Sequence, residues 1–339
     1  MKIARQEDES SDHMGPPTPW ASLSGPFEVV VNLTNRCNQL CVFCYNSSGA
    51  GCQEMRDEQV LALIGELQTL KPFNVCFSGG EPLLRQQLLL ECATLLSEQG
   101  VRLSLATNGM LLTGSLAERL IDSGVEDIQI SLDAATAEVH DRIRGRAGAF
   151  DSAVEALRVL AGLHFASFSA SFTATALNFL ELEAIVTLLD RLGVPALSVR
   201  PLLLAGRAQP RLLPTPWAWR TVIRSAHRLH GATSVTIQIP DPLSQLFGLR
   251  AGSPMYHMEF TATGAAIPSP YFPIVLGHIA RHRVSDYWNG GWTAALTAPP
   301  LRRMLSAFTD NAGLPRLVDA TLDAGETDIL DSSILWRGT

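Results

Sequence analysis

A regular alternation of strand-like and helix-like segments, beginning at Phe27 and running to residue 202, constrains this chain more than any other feature. FEVVVNL (27–33) is β-branched and apolar, the pattern of a buried strand. Val60, Leu61, Leu63, Ile64, Leu67 and Leu70 then recur at helical spacing within 57–70. NVCFS (74–78) reads as the next strand, and a helix over 84–98 is expected to stop before Gly100. Strands at 101–107, 125–132, 167–175 and 195–202 alternate with helices at 115–123, 150–163 and 179–192. Six such units with short connections require a parallel sheet with right-handed crossovers. The expected class is α/β, a partial (β/α)6 TIM-like barrel with its chemistry at the C-terminal ends of the strands.

The flanks read differently. Residues 1–25 are rich in Ser, Pro and charge, the composition of a disordered leader. The barrel is expected over 26–205, and 206–339 as a small α+β extension, with a helix at 216–230, a strand at 234–239 and a Gly/Pro/aromatic-rich stretch to 292. The 339 residues carry a formal net charge of -7, with lysine only at positions 2 and 71, which argues against a nucleic-acid partner. No run reaches the ~18 apolar residues of a membrane span, and no secretory h-region opens the chain, so the expected location is the cytoplasm.

The cysteines are Cys37, Cys41, Cys44, Cys52, Cys76 and Cys92, with none after Cys92. A disulfide framework would be spread more evenly, whereas a metal site clusters its thiols. LTNRCNQLCVFC (33–44) places three of them as CxxxCxxC directly after the first strand. Three thiolates can hold three irons of a cubane and leave the fourth without a protein ligand. A structural zinc site with Cys52 as fourth ligand is the alternative. Phe43 precedes the last thiol and is placed to pack beside the loop.

Further motifs close successive strands: SGGEP (78–82), ATNGM (106–110) and ISLDA (130–134), followed by VHDRIRG (139–145). The two glycines let the backbone approach a ligand closely, and Glu81 with the adjacent carbonyls offers acceptors for an ammonium.

In this order and spacing the motifs resemble the radical S-adenosylmethionine (SAM) superfamily over roughly residues 28–207. LTNRCNQLCVFCY, SGGEPLL, QISLDAATAEVHDRIRG and GAFDSAVEALRVL resemble its branch with a C-terminal SPASM or twitch extension. The resemblance implies one 4Fe-4S cluster on Cys37, Cys41 and Cys44, with SAM as second cofactor. It further implies SAM contacts from Phe43, Gly79, Gly80, Glu81, Thr107, Asn108, Ser131, Asp133 and Arg144. An external electron donor such as flavodoxin or ferredoxin is implied as well.

The extension departs from the family pattern: Ser269 stands at a cysteine position, and Gly277-His278-Ile279 replaces a Gly-Asn-Ile segment. Without auxiliary-cluster cysteines, a redox-neutral reaction is expected: epimerisation, elimination, rearrangement or decarboxylation. Cys76 and Cys52 are the candidate hydrogen donors, while Cys92 shares a helix face with leucines and reads as core. His257, His278, His282 and Tyr271 are the polar candidates in the extension. The expected substrate is a small natural product such as a sugar, cyclitol or nucleoside. The alternatives are a peptide, recognised through a separate partner, and a non-enzymatic metal protein of the same fold.

Overall fold

The structure, a computed structural model, describes residues 23–49, 51–163, 165, 167–239, 255–270 and 274–297. The leader up to residue 22, Tyr271 and the tail from Leu301 lie outside them. The alternation resolves into β1 (Glu28–Asn32), α1 (Asp57–Leu70), β2 (Asn74–Ser78), α2 (Gln86–Ser97), β3 (Arg102–Thr107), α3 (Gly114–Asp122) and β4 (Asp127–Ser131). It continues through α4 (Ala137–Arg144), α5 (Ala149–Gly162), β5 (Ser167–Ala174), α6 (Leu182–Leu192), β6 (Ala196–Pro201) and α7 (Pro216–Leu229). The helix expected over 84–98 is divided. A 3-10 turn, Pro82–Arg85, precedes α2, because Glu81 caps it with a side-chain acceptor and Pro82 cannot donate.

Strands β1 to β6 lie side by side in chain order, all parallel. Among the described residues four further strands come from the region after 205, the first three being β7 (Thr236–Gln238), β8 (His257–Phe260) and β9 (Ala265–Ile267). β7 adds in parallel to β6 at one edge, and β8 adds in parallel to β1 at the other. β9 and the short β10 (Gly277–His278) then turn back antiparallel, and α8 (Val284–Asn289) follows. The sheet is open, and the later residues prolong both of its edges.

Strands β3, β4 and β5 alternate strictly. In β5, Phe168, Ala170, Phe172 and Ala174 are buried while Ser167, Ser169, Ser171 and Thr173 are half-buried. The buried set joins one continuous core with Val60, Leu63, Ile64 and Leu67 of α1, Leu89 and Leu96 of α2, and Leu157 of α5. Burying such side chains against the helices is the main driving force for the fold. The opposite face carries Asn74, Cys76 and Ser78 on β2, Ser104 on β3, Asp127, Gln129 and Ser131 on β4, and Arg200 on β6. Parallel sheets usually bury two apolar faces. Here the face away from the helices is polar and partly open, as suits a chamber that receives a ligand.

Candidate active site

Cys37, Cys41 and Cys44 occupy the long loop between β1 and α1, at the C-terminal edge of the sheet. Glu54 of the same loop and three other parts of the chain hold it in place. Glu54 accepts from Thr34 Oγ1 at 2.9 Å, Asn35 N at 2.7 Å and Arg36 N at 3.1 Å. The GGEP turn donates to it, with Gly80 N 2.6 Å from Thr34 O and Glu81 N 2.9 Å from Arg36 O. The end of α4 accepts from it: Leu40 N reaches Arg144 O and Val42 N reaches Ile143 O. Arg207 completes the clamp, its Nε 3.0 Å from Cys41 O and its NH1 2.5 Å from Ser48 O.

The two glycines of GGEP are therefore required by the cysteine loop itself. A Cβ on Gly79, whose φ is +140°, would lie 2.4 Å from Thr34 O, and one on Gly80 would lie 2.2 Å from Arg36 O. Only glycine allows the backbones this close. Glu81 is fully buried, and its carboxylate accepts from Thr107 Oγ1 at 2.7 Å, Leu83 N at 3.0 Å and Asn108 N at 2.9 Å. It ties the turn after β2 to the turn after β3. Burial pushes its carboxyl pKa up, against the pull of these donors.

Each thiol has an N–H donor beside its sulfur. Asn108 Nδ2 lies 3.9 Å from Cys37 Sγ, Arg144 NH1 lies 3.7 Å from Cys41 Sγ, and Ser48 N lies 3.3 Å from Cys44 Sγ. Burial raises the Cys37 pKa to about 11 and raises that of Cys41 as well. Thiols so disfavoured as free thiolates gain most when a metal takes the charge. Among the described residues, no three His, Cys, Asp or Glu side chains converge as around one metal ion. One zinc needs its ligands at about 2.0–2.3 Å from a single point. A cubane takes each thiolate on its own iron, so the donor set fits it better, and Cys52 is exposed.

Asp133, which follows β4, and Arg144, the last residue of α4, form a buried ion pair at 2.5 Å. Asp133 also accepts from Thr173 N at 2.9 Å, and the Arg144 guanidinium stacks over Phe43, 5.5 Å from its centroid. Arg142 is exposed on the same helix. Phe43 packs with Leu202, Leu204 and Leu212. Ser131 is half-buried at the end of β4. The remaining candidates are dispersed: Cys92 is fully buried in α2, His257 pairs with Glu28 at 3.2 Å, and Ser269 is buried. His278 N donates to Tyr287 OH at 2.8 Å.

Sequence reading missed several participants. His140 is fully buried; its Nδ1 accepts from Asp133 N at 3.1 Å, and burial together with Arg144 depresses its pKa to about 3. Asn178 Nδ2 donates to Asp133 O at 2.9 Å, bracing the same turn. Tyr45, next to Cys44, lies in the electrostatic reach of Glu259, Arg200 and Cys76. His140 and Tyr45 stand within the motifs, so proximity to the cysteines and to Arg144 was their one available signal.

Residues 31–192 match the Radical SAM superfamily. Over 174 residues the chain is 41% identical to the mycofactocin maturase MftC of Mycobacterium tuberculosis, covering 50% of this chain and 44% of that protein. The AdoMet-dependent heme synthase of Methanosarcina barkeri is 25% identical over 293 residues, covering 79% of this chain and 83% of that protein. The chain thus spans less than half the length of the maturase it matches. The crystal structure of Streptococcus suis SuiB bound to precursor peptide SuiA shares the fold, with TM-score 0.67 at 14% identity over 92% of this chain and 76% of that one. The mixed α/β architecture expected from the alternation, and the resemblance drawn from the motifs, both hold: residues 31–192 form a radical SAM domain.

Proposed function

We propose that the chain is an enzyme that holds one 4Fe-4S cluster on Cys37, Cys41 and Cys44, cleaves SAM reductively, and modifies a peptide. The observation that carries the first part is an N–H donor beside each sulfur in a loop held by the GGEP turn, the end of α4 and Arg207. When bound, the cluster would supply the electron that splits SAM into methionine and a 5′-deoxyadenosyl radical able to abstract a substrate hydrogen.

The chain's own residues hold and shield that chemistry. Carbonyls of the Gly79-Gly80 turn are the acceptors for the SAM ammonium, because three donors already occupy the Glu81 carboxylate. Arg144 Nε is buried without a hydrogen-bond partner among the described residues, which leaves it available to an incoming carboxylate. Asp133 holds that guanidinium in place, while Ser131, Thr107 and Asn108 border the same strand ends. The electron would come from an external donor such as flavodoxin or ferredoxin.

A peptide substrate is supported by the 41% identity to the mycofactocin maturase and by the fold shared with SuiB. A small natural product remains the second reading, favoured by the similarity to the heme synthase over most of both chains. A redox-neutral outcome fits residues 93–339, which carry no cysteine. Anaerobic reconstitution tests the reading: about four irons and four sulfides per chain, and 5′-deoxyadenosine release with dithionite and SAM, are expected. A Cys41→Ala variant that kept both would overturn it.

A further inference from the structure

We propose that Arg200 is a substrate-anchoring residue, binding a carboxylate group of the substrate inside the barrel chamber. This rests on the proposal above that the chain is an enzyme acting on a substrate.

Arg200 lies on β6 in register with Thr173 of β5, on the polar face of the sheet, and is exposed. Its NH2 donates to Gln129 Oε1 at 2.9 Å and its Nε approaches Ser198 Oγ at 3.5 Å. Both partners are neutral. Two other guanidiniums have carboxylates: Arg144 of α4 pairs with Asp133 at 2.5 Å, and Arg102 of β3 with Asp127 at 3.8 Å. Among the described residues no carboxylate lies within ion-pair distance of Arg200. A guanidinium held by two neutral side chains, with NH1 uncommitted, is poised for a planar oxyanion.

The surroundings select the anion. Glu28, within electrostatic reach of Arg200, and the buried Glu259 lie on the same face, so a dianionic phosphate would be repelled more than a monoanionic carboxylate. A monoanionic carboxylate needs only Arg200. The anchor is also near the chemistry, since Arg200 acts electrostatically on Tyr45, the neighbour of Cys44, and on Cys76. A substrate held there would present its adjoining carbons to the mouth of the cysteine loop.

The test uses the reconstituted holoenzyme with SAM, immobilised, and affinity selection read by mass spectrometry. The probes are N-acetylated tripeptides of random sequence with free C-terminal carboxylates, the same peptides as C-terminal carboxamides, and succinate as competitor. Carboxylate peptides should be retained at least about tenfold over carboxamides, which corresponds to ~1.4 kcal/mol. Arg200→Gln should abolish that preference and Arg200→Lys should keep part of it. Arg224→Gln, the same charge change on the exposed side of α7, should leave it intact. Peptide retention would assign the group to a peptide terminus. Succinate binding that only Arg200→Gln removes, without peptide retention, would assign it to a small acid. Equal retention of carboxylates and carboxamides, with succinate unbound or bound alike by Arg200→Gln, overturns the proposal. Failure to release 5′-deoxyadenosine would instead strike the enzymatic reading, because retention does not require turnover.

Discussion

The Arg144 guanidinium sits 2.5 Å from the Asp133 carboxylate and 3.7 Å from the Cys41 sulfur, so one buried ion pair joins the end of β4 to the cysteine loop. Asp133 is in turn fixed by Thr173 N on β5, and its own N–H donates to His140. The ends of β4 and β5, together with helix α4, are thereby locked to a loop with no regular structure of its own. Preorganisation of this kind sets ligands before a metal arrives, and outer partners of ligands commonly govern affinity.

Removing one partner of that pair should be costly. Asp133→Ala leaves a guanidinium buried without a counter-charge, and a loss of about 3–5 kcal/mol is expected in urea unfolding. The double variant Asp133→Leu/Arg144→Met should recover much of that stability, yet bind less iron than wild type on reconstitution. Recovery of both stability and iron would show that the pair does not support the thiolates.

Two glycines make an opposed pair. Gly80→Ala would drive a Cβ into Arg36 O at 2.2 Å, a backbone atom that cannot swing aside. At least about 1–3 kcal/mol should be lost, and iron uptake with it. Gly65 lies within α1 with nothing within 4 Å of its would-be Cβ, so Gly65→Ala should stabilise by about 0.5–1 kcal/mol. Thermal melts of the two variants beside wild type check both signs.

His140 predicts a pH dependence. Its folded pKa is depressed to about 3 from 6.5, so its contribution to stability is full above pH 6.5. That contribution falls as pH drops toward 3, because the unfolded chain binds a proton that the folded one refuses. The slope is at most ~1.4 kcal/mol per pH unit for one proton. In His140→Asn, whose side-chain oxygen can still accept from Asp133 N, the urea midpoint should fall less steeply between pH 6.5 and 4.5. Parallel curves for the two proteins would refute this.

The strands of the barrel were legible because their periodicity is local: β2 and α1 have the expected bounds, and β5 alternates at every position. α4 escaped notice as a helix because AEVHDRIR is short and largely polar, with His140, Ile143 and Arg144 as its buried residues. The pairing of β8 with β1, across more than two hundred residues, leaves no local trace. The same holds for the Arg207 clamp and for the electrostatic neighbours of Tyr45. The glycines of GGEP were recognised as a point of close approach, but what approaches is the cysteine loop.

Cys76 and Cys52 now differ in standing as hydrogen donors. Cys52 is exposed, whereas Cys76 lies on the polar face of β2, opposite Ser104 of β3 and within electrostatic reach of Glu28, Arg200 and Glu259. Burial lifts its pKa to about 11, so at neutral pH it remains a thiol with a hydrogen atom to give. In a redox-neutral epimerisation the S–H bond would break as a substrate C–H bond forms. The sulfur radical left behind would take an electron from the external donor and a proton from water. Thiol hydrogens exchange with solvent, so turnover in deuterated water should fix one deuterium at the reacting carbon. Cys76→Ala should keep cluster content and 5′-deoxyadenosine release while losing at least about tenfold of that deuterium, whereas Cys52→Ala should match wild type. Undiminished labelling in Cys76→Ala, or a product lighter by two hydrogens, would remove Cys76 from the reaction.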